Sequence, residues 1–120
     1  MSSRFNQACL LAACLATMGL AAPALAADAQ AADQLIKDNK CGKCHALDRK
    51  KDGPAFRDIA AKFGGKPDAV EKVRHHLTAG DMVKFADGHQ EKHKKVKADN
   101  DAEIKNLIDW ILQLPGGTSY

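Results

Sequence analysis

Cys41-Gly42-Lys43-Cys44-His45 reads C-x-x-C-H, two thiols three residues apart with an imidazole directly after the second. At the end of a helix that spacing turns both sulfurs to one side. There they can form thioethers with the two vinyl groups of a single porphyrin, while His45 lies under the iron. Gly42 leaves room for the macrocycle to approach. Four blander readings compete. A pentapeptide can arise by chance; a thiol redox pair expects a preceding strand and a βαβ context. Zinc expects a second ligand pair at its own spacing, and a Cys41–Cys44 disulfide would close too small a loop to stabilise much. The surrounding pattern is helical and no Cys follows Cys44, so one covalent haem c is the expected cofactor.

The other two of the four cysteines, Cys9 and Cys14, fall in an N-terminal leader. Met1–Ala26 has an Arg at position 4, an uncharged run from Ala8 to Ala22, and the small-residue pattern Ala24-Leu25-Ala26. Together these read as a secretory signal peptide. The run is shorter than the roughly 20 residues a bilayer span needs, and Pro23 interrupts it. The expected organisation is therefore 1–26 removed on export and 27–120 a single periplasmic domain. Leu11-Ala12-Ala13-Cys14 also has the outline of a lipoprotein box, which would tether the same domain to a membrane through Cys14. Against it, little apolar sequence precedes that cysteine and the apolar run continues past it.

The 120 residues carry 18 Lys+Arg against 15 Asp+Glu, a net charge of +3, and the leader takes Arg4 with it. Near neutrality argues against general nucleic-acid binding, which needs a basic excess on one face. Beyond the leader the aromatics are Phe56, Phe63, Phe85, Trp110 and Tyr120. So polar a chain builds a thin core unaided, and small domains in that position rely on disulfides, a metal or a cofactor.

From Asp28 the pattern is helical throughout, with no alternating window long enough for a strand. A first helix is expected from about Ala29 to Lys40, carrying Leu35 and Ile36, and Asp52-Gly53-Pro54 marks Ala46–Pro54 as a loop. Phe56, Ile59, Ala60 and Phe63 form a short helix stopped by Gly64-Gly65. A third helix opens at Lys66-Pro67-Asp68 and runs to Gly80, with Val70, Val73 and Leu77 on one stripe. His75 points away from that stripe and His76 sits on its margin, so solvated and half-buried structural roles are expected for them. A long loop, Asp81–Asp99, holds Met82, Phe85, His89, His93 and many lysines. The last helix is capped by Asn100, with Glu103 completing a capping box, and buries Ile104, Leu107, Ile108, Ile111 and Leu112 before Pro115.

The chain resembles the small bacterial class I monohaem cytochromes c. The residues that carry the likeness are the helix ending in CGKCH, Gly53-Pro54-Ala55-Phe56, and the terminal helix AEIKNLIDWIL. The resemblance implies an all-α class I cytochrome c fold, about four helices around one haem attached through Cys41 and Cys44, with His45 as proximal ligand. It further implies that the Pro54 carbonyl accepts a hydrogen bond from His45 and that Leu107, Trp110 and Ile111 lie near the haem. The family's sixth ligand is normally a Met in the loop before the last helix. Here that place reads His89-Gln90-Glu91-Lys92-His93-Lys94-Lys95-Val96, without a Met. Counting back from Ala102-Glu103 favours His93, then Met82, then His89. A His in place of Met would lower the reduction potential.

The function implied is a non-enzymatic, monomeric one-electron carrier in the periplasm, meeting larger redox proteins transiently as donor and acceptor. Lys92, Lys94, Lys95 and Lys97 could steer an acidic partner if His93 binds iron; otherwise they are a solvated face. The competing function is a haem protein whose sixth site opens to a gas or other small ligand. A third, a thiol-disulfide oxidoreductase on Cys41 and Cys44, predicts two titratable thiols and no bound haem.

Overall fold

A computed structural model describes residues 25–116. Most of the expected leader, with Cys14, lies outside the described residues, as does the tail beyond Gly116. Asp28 opens helix α1 (Ala29–Asp38), its carboxylate accepting the backbone N–H groups of Gln30 and Ala31, both at 3.0 Å. The helix stops short of Lys40. Asn39 ends it and Lys40 takes a left-handed φ of 57°, where glycine is usual and a side chain costs about 1 kcal/mol. The chain then enters a 3-10 turn, Cys41–Lys43, that carries the first three residues of the motif.

Helix α2 spans Phe56–Phe63 and buries Phe56 and Ala60. Helix α3 spans Ala69–Ala79 and buries Ala69, Val73 and Leu77. Pro67 and Asp68 lie in the turn ahead of α3 rather than inside it, because Ala69 N–H is taken by the Lys66 carbonyl at 3.1 Å. Asp68 meets Lys72 one helical turn on, at 2.7 Å. Gly80 ends α3 at a φ of +73°, a conformation glycine adopts without strain.

Asn100 caps helix α4 (Asp101–Gln113) through the Glu103 N–H, 3.1 Å away. The Glu103 carboxylate reaches back past the cap to the Asp99 N–H at 2.9 Å, one residue beyond the partner a capping box uses. Helix α4 is the hub of the fold, packing on α1, α2 and α3. Its Leu107, Ile108 and Ile111 are at most 2% exposed. Asn106 ties the chain's start to it, accepting from Asp28 N–H at 2.8 Å and donating to the Asp28 carbonyl at 2.9 Å.

The expected strand-free loop is corrected by a small antiparallel hairpin, β1 (Met82–Lys84) with β2 (Gln90–Lys92), in register Met82–Lys92, Val83–Glu91 and Lys84–Gln90. Three-residue strands with only Val83 half-buried have no apolar alternation to read. Backbone pairing and the turn at Gly88, with φ +93°, hold them together.

Replacing Ile108 by Val should lower stability by about 0.5–1.5 kcal/mol, read as a shift in denaturant midpoint. The visible spectrum of the haem-loaded protein should not change, because Ile108 does not line the cavity described next.

Candidate cofactor site

A cavity of about 530 Å³ lies between the end of α1, the α2 and α3 faces, α4 and the hairpin, within the ~300–1,000 Å³ usual for cofactor pockets. Cys41, Cys44 and His45 line one side; His76 and His93 also line it, and Phe56, Leu77, Leu107 and Ile111 supply apolar wall. Leu107 and Ile111, four apart, share one face of α4. Trp110 is turned about 100° from Ile111 on the helix. It does not line the cavity, contrary to the sequence expectation. Its ring meets Phe56 edge-on at 5.7 Å, one layer further out.

The loop before α2 orients His45. Its Nδ1–H donates to the Pro54 carbonyl at 2.7 Å. A carbonyl only accepts, so the proton sits on Nδ1 and the Nε2 lone pair is left free for a metal. Gly53 permits this approach, since a Cβ there would stand 2.7 Å from His45 Cε1. The ring also stacks on Phe56 at 5.4 Å.

His93 follows β2. Its ring centre is 6.2 Å from that of His45, and the ring planes are inclined at 55°. Two metal–nitrogen bonds of about 2 Å, plus roughly 1 Å from nitrogen to ring centre on each side, come to about 6 Å. His45 and His93 would therefore be far enough apart to hold one haem iron between them, and Cys41 and Cys44 line the same cavity. The residues fit a covalently held haem.

His76 was read from sequence as structural. The structure packs its ring 4.1 Å from that of His93 inside the cavity wall. Its marginal place on α3 was the available signal, but the ring it meets lies 17 positions away. Burial pushes both imidazoles below the ordinary histidine range, and the neighbouring imidazoles push the same way. Both are therefore neutral in neutral solution, as a metal ligand must be. Burial raises the Cys41 thiol, opposite to the depressed thiol of a redox-active pair.

The other two ligand candidates are placed elsewhere. Met82 is 54% exposed and absent from the cavity lining. His89 sits at the hairpin turn, stacked on Phe85 at 4.2 Å and bound through Nδ1 to Asp87.

Comparison with known proteins finds likeness over most of the chain. The family model for cytochrome c matches residues 29–115. The chain is 36% identical over 81 residues to cytochrome c-552 of Hydrogenobacter thermophilus, covering 68% of this chain and 79% of that protein. It is 32% identical to cytochrome c-551 of Pseudomonas denitrificans, covering 68% and 94%. Among solved structures it is similar to the class 1 cytochrome MtoD of Sideroxydans lithotrophicus ES-1, with a TM-score of 0.72 and 48% identity over 76% of this chain and 100% of that one. Nitrosomonas europaea cytochrome c552 aligns with a TM-score of 0.52 and 34% identity, covering 68% and 96%.

The hydrogen bond to Asp87 raises the His89 pKa, and the charges of Asp87 and Glu91 add to it. The ion pair therefore exists below that raised value and is lost as pH climbs through it. NMR titration should find His89 above the ordinary ~6.5. Asp87→Asn should bring it down and leave the haem spectrum unchanged.

Proposed function

Because the chain belongs to the cytochrome c family and is a haem-based electron carrier, with haem c held through Cys41 and Cys44, we propose that it carries bis-histidine ligation. His45 is the proximal ligand and His93 the distal one. The observation that carries this reading is the 6.2 Å separation of the two rings across the cavity. The bound haem supplies a single reversible electron. The protein's part is to hold it, set its potential and shield it.

The Pro54 carbonyl polarises His45 through Nδ1–H and increases its basicity. Ligation by both His45 and His93 would favour the ferric state more than a His and a thioether together, which would make this a low-potential carrier for its family. Phe56, Leu77, Leu107 and Ile111 keep water from the inner face. Trp110 acts by bracing Phe56 rather than by touching the cofactor.

The chain works after export, with residues 1–26 removed, as a monomeric periplasmic shuttle between larger redox proteins. No described helix is long and apolar enough to cross a membrane. Lys40, Lys43, Lys84, Lys92 and Lys94 ring the cavity against Asp52 and Glu91. This local excess of lysine over acidic side chains steers an acidic partner to the haem edge.

One observation favours the alternative of an openable sixth site. His93 Nδ1 is buried and, among the described residues, has no hydrogen-bond partner, whereas His45 Nδ1 is anchored. The distal bond is then the weaker of the two.

His93→Met should raise the reduction potential of the loaded protein, whereas no change would count against His93 as ligand. Carbon monoxide should bind the ferrous wild type slowly; rapid stoichiometric binding would favour the openable site. Oxidation of the ferrous protein by the anion ferricyanide should slow as salt is added. Reversing Lys92 and Lys94 to Glu should flatten that dependence, and a salt-independent wild-type rate would remove the steering role.

A further inference from the structure

His93 Nδ1 has no hydrogen-bond partner among the described residues, so beside the His76 ring packed on it at 4.1 Å the backbone on which it rides is what keeps it over the cavity. Residues 93–97 form a strap clipped at both ends. His93 N–H donates to the Asp81 carbonyl at 2.8 Å, and Val96 N–H donates to the Leu77 carbonyl at 2.8 Å. At the far end the Asn39 side chain pairs with both backbone groups of Lys97. Its Oδ1 accepts from Lys97 N–H at 2.8 Å, and its Nδ2 donates to the Lys97 carbonyl at 2.9 Å. Nδ2 also donates to the Leu35 carbonyl at 3.0 Å, which already accepts the Asn39 N–H at 3.1 Å.

Asn39 is 6% exposed and is the buried polar residue among the described ones. A buried amide that pairs both backbone groups of one residue is costly to lose, because truncation leaves the Lys97 N–H and carbonyl without those partners. Its position adds meaning to its burial. Asn39 stands two residues before Cys41, and its partner is four residues after His93. One side chain therefore joins the segment that would hold the haem covalently to the strap that presents the distal ligand.

We propose that Asn39 is a positioning residue for the distal side: its paired bonds to Lys97 hold His93 against dissociation and so keep the sixth site closed. This rests on His93 being the distal ligand. Without Asn39 the strap remains fixed at Asp81 and Leu77 but loses its tie to α1. Brief excursions that lift His93 from the iron then become more frequent, while the core of α4 is untouched.

The test is carbon monoxide binding to the ferrous, haem-loaded protein, followed by rapid mixing well below the melting temperature. Wild type is compared with Asn39→Ala, Asn39→Asp, His93→Ala and, as a control that loosens the core away from the cavity, Ile108→Val. Asn39→Ala should bind about tenfold faster or more, with Ile108→Val at the wild-type rate and His93→Ala fastest of all. If Asn39→Ala fails to retain haem, Asn39→Asp supplies the answer. It keeps the acceptor for Lys97 N–H and loses the two donated bonds, so its rate should lie between wild type and His93→Ala. Asn39 variants that match Ile108→Val, while His93→Ala binds fast, would overturn the positioning role. His93→Ala binding no faster than wild type would overturn the distal assignment itself and the strap's purpose with it.

Discussion

A cavity of about 530 Å³ at the centre of so small a domain sets the terms for everything around it. An ordinary domain has only about 5–15 kcal/mol of net stability, so apolar walls facing each other across such a space are better covered by a bound group than left to water. The buried cluster that surrounds it is modest, chiefly Leu35, Phe56, Val73, Leu77, Leu107, Ile108 and Ile111. The four helices therefore frame a bound group more than they form a core of their own. Helix α4 can contact the other three because it lies against the back of that frame.

The two sides of the cavity are held by different means. On the His45 side the anchor is local: Gly53 lets the loop close, Pro54 takes the ring proton and Phe56 supports the ring face. All of these lie within eleven residues after His45. On the His93 side the anchors are distant. Leu77 and Asp81, from the end of α3 and just past it, and Asn39, at the end of α1, grip the strap's backbone. The His76 ring packs against His93 from α3. A site with one rigid and one strapped face has its proximal geometry fixed by covalent neighbours, whereas its distal closure depends on tertiary structure.

That difference also explains what could be read from the chain alone. Features coded locally were legible: the Cys41–His45 motif, the Asn100 cap, the Gly64 and Gly80 stops, and the apolar face of α4. His93 could be singled out because its place was counted from a well-marked helix. Features that depend on contacts across the fold were not legible. Asn39 looked like part of a helix end because its partner, Lys97, is 58 residues away. His76 looked marginal until the strap was laid over it. The hairpin went unseen because Gln90, Glu91 and Lys92 are all exposed, leaving the backbone alone to define it. Trp110 was drawn to the cofactor by resemblance, whereas its angle on α4 turns it toward Phe56.

The pairing of His45 with His93 is tested most directly by the visible and near-infrared spectrum of the purified ferric protein. Bis-imidazole ligation predicts low-spin bands and no methionine-to-iron charge-transfer band at the red edge. A charge-transfer band there would assign the sixth position to Met82 instead, and high-spin bands would show that no side chain fills it.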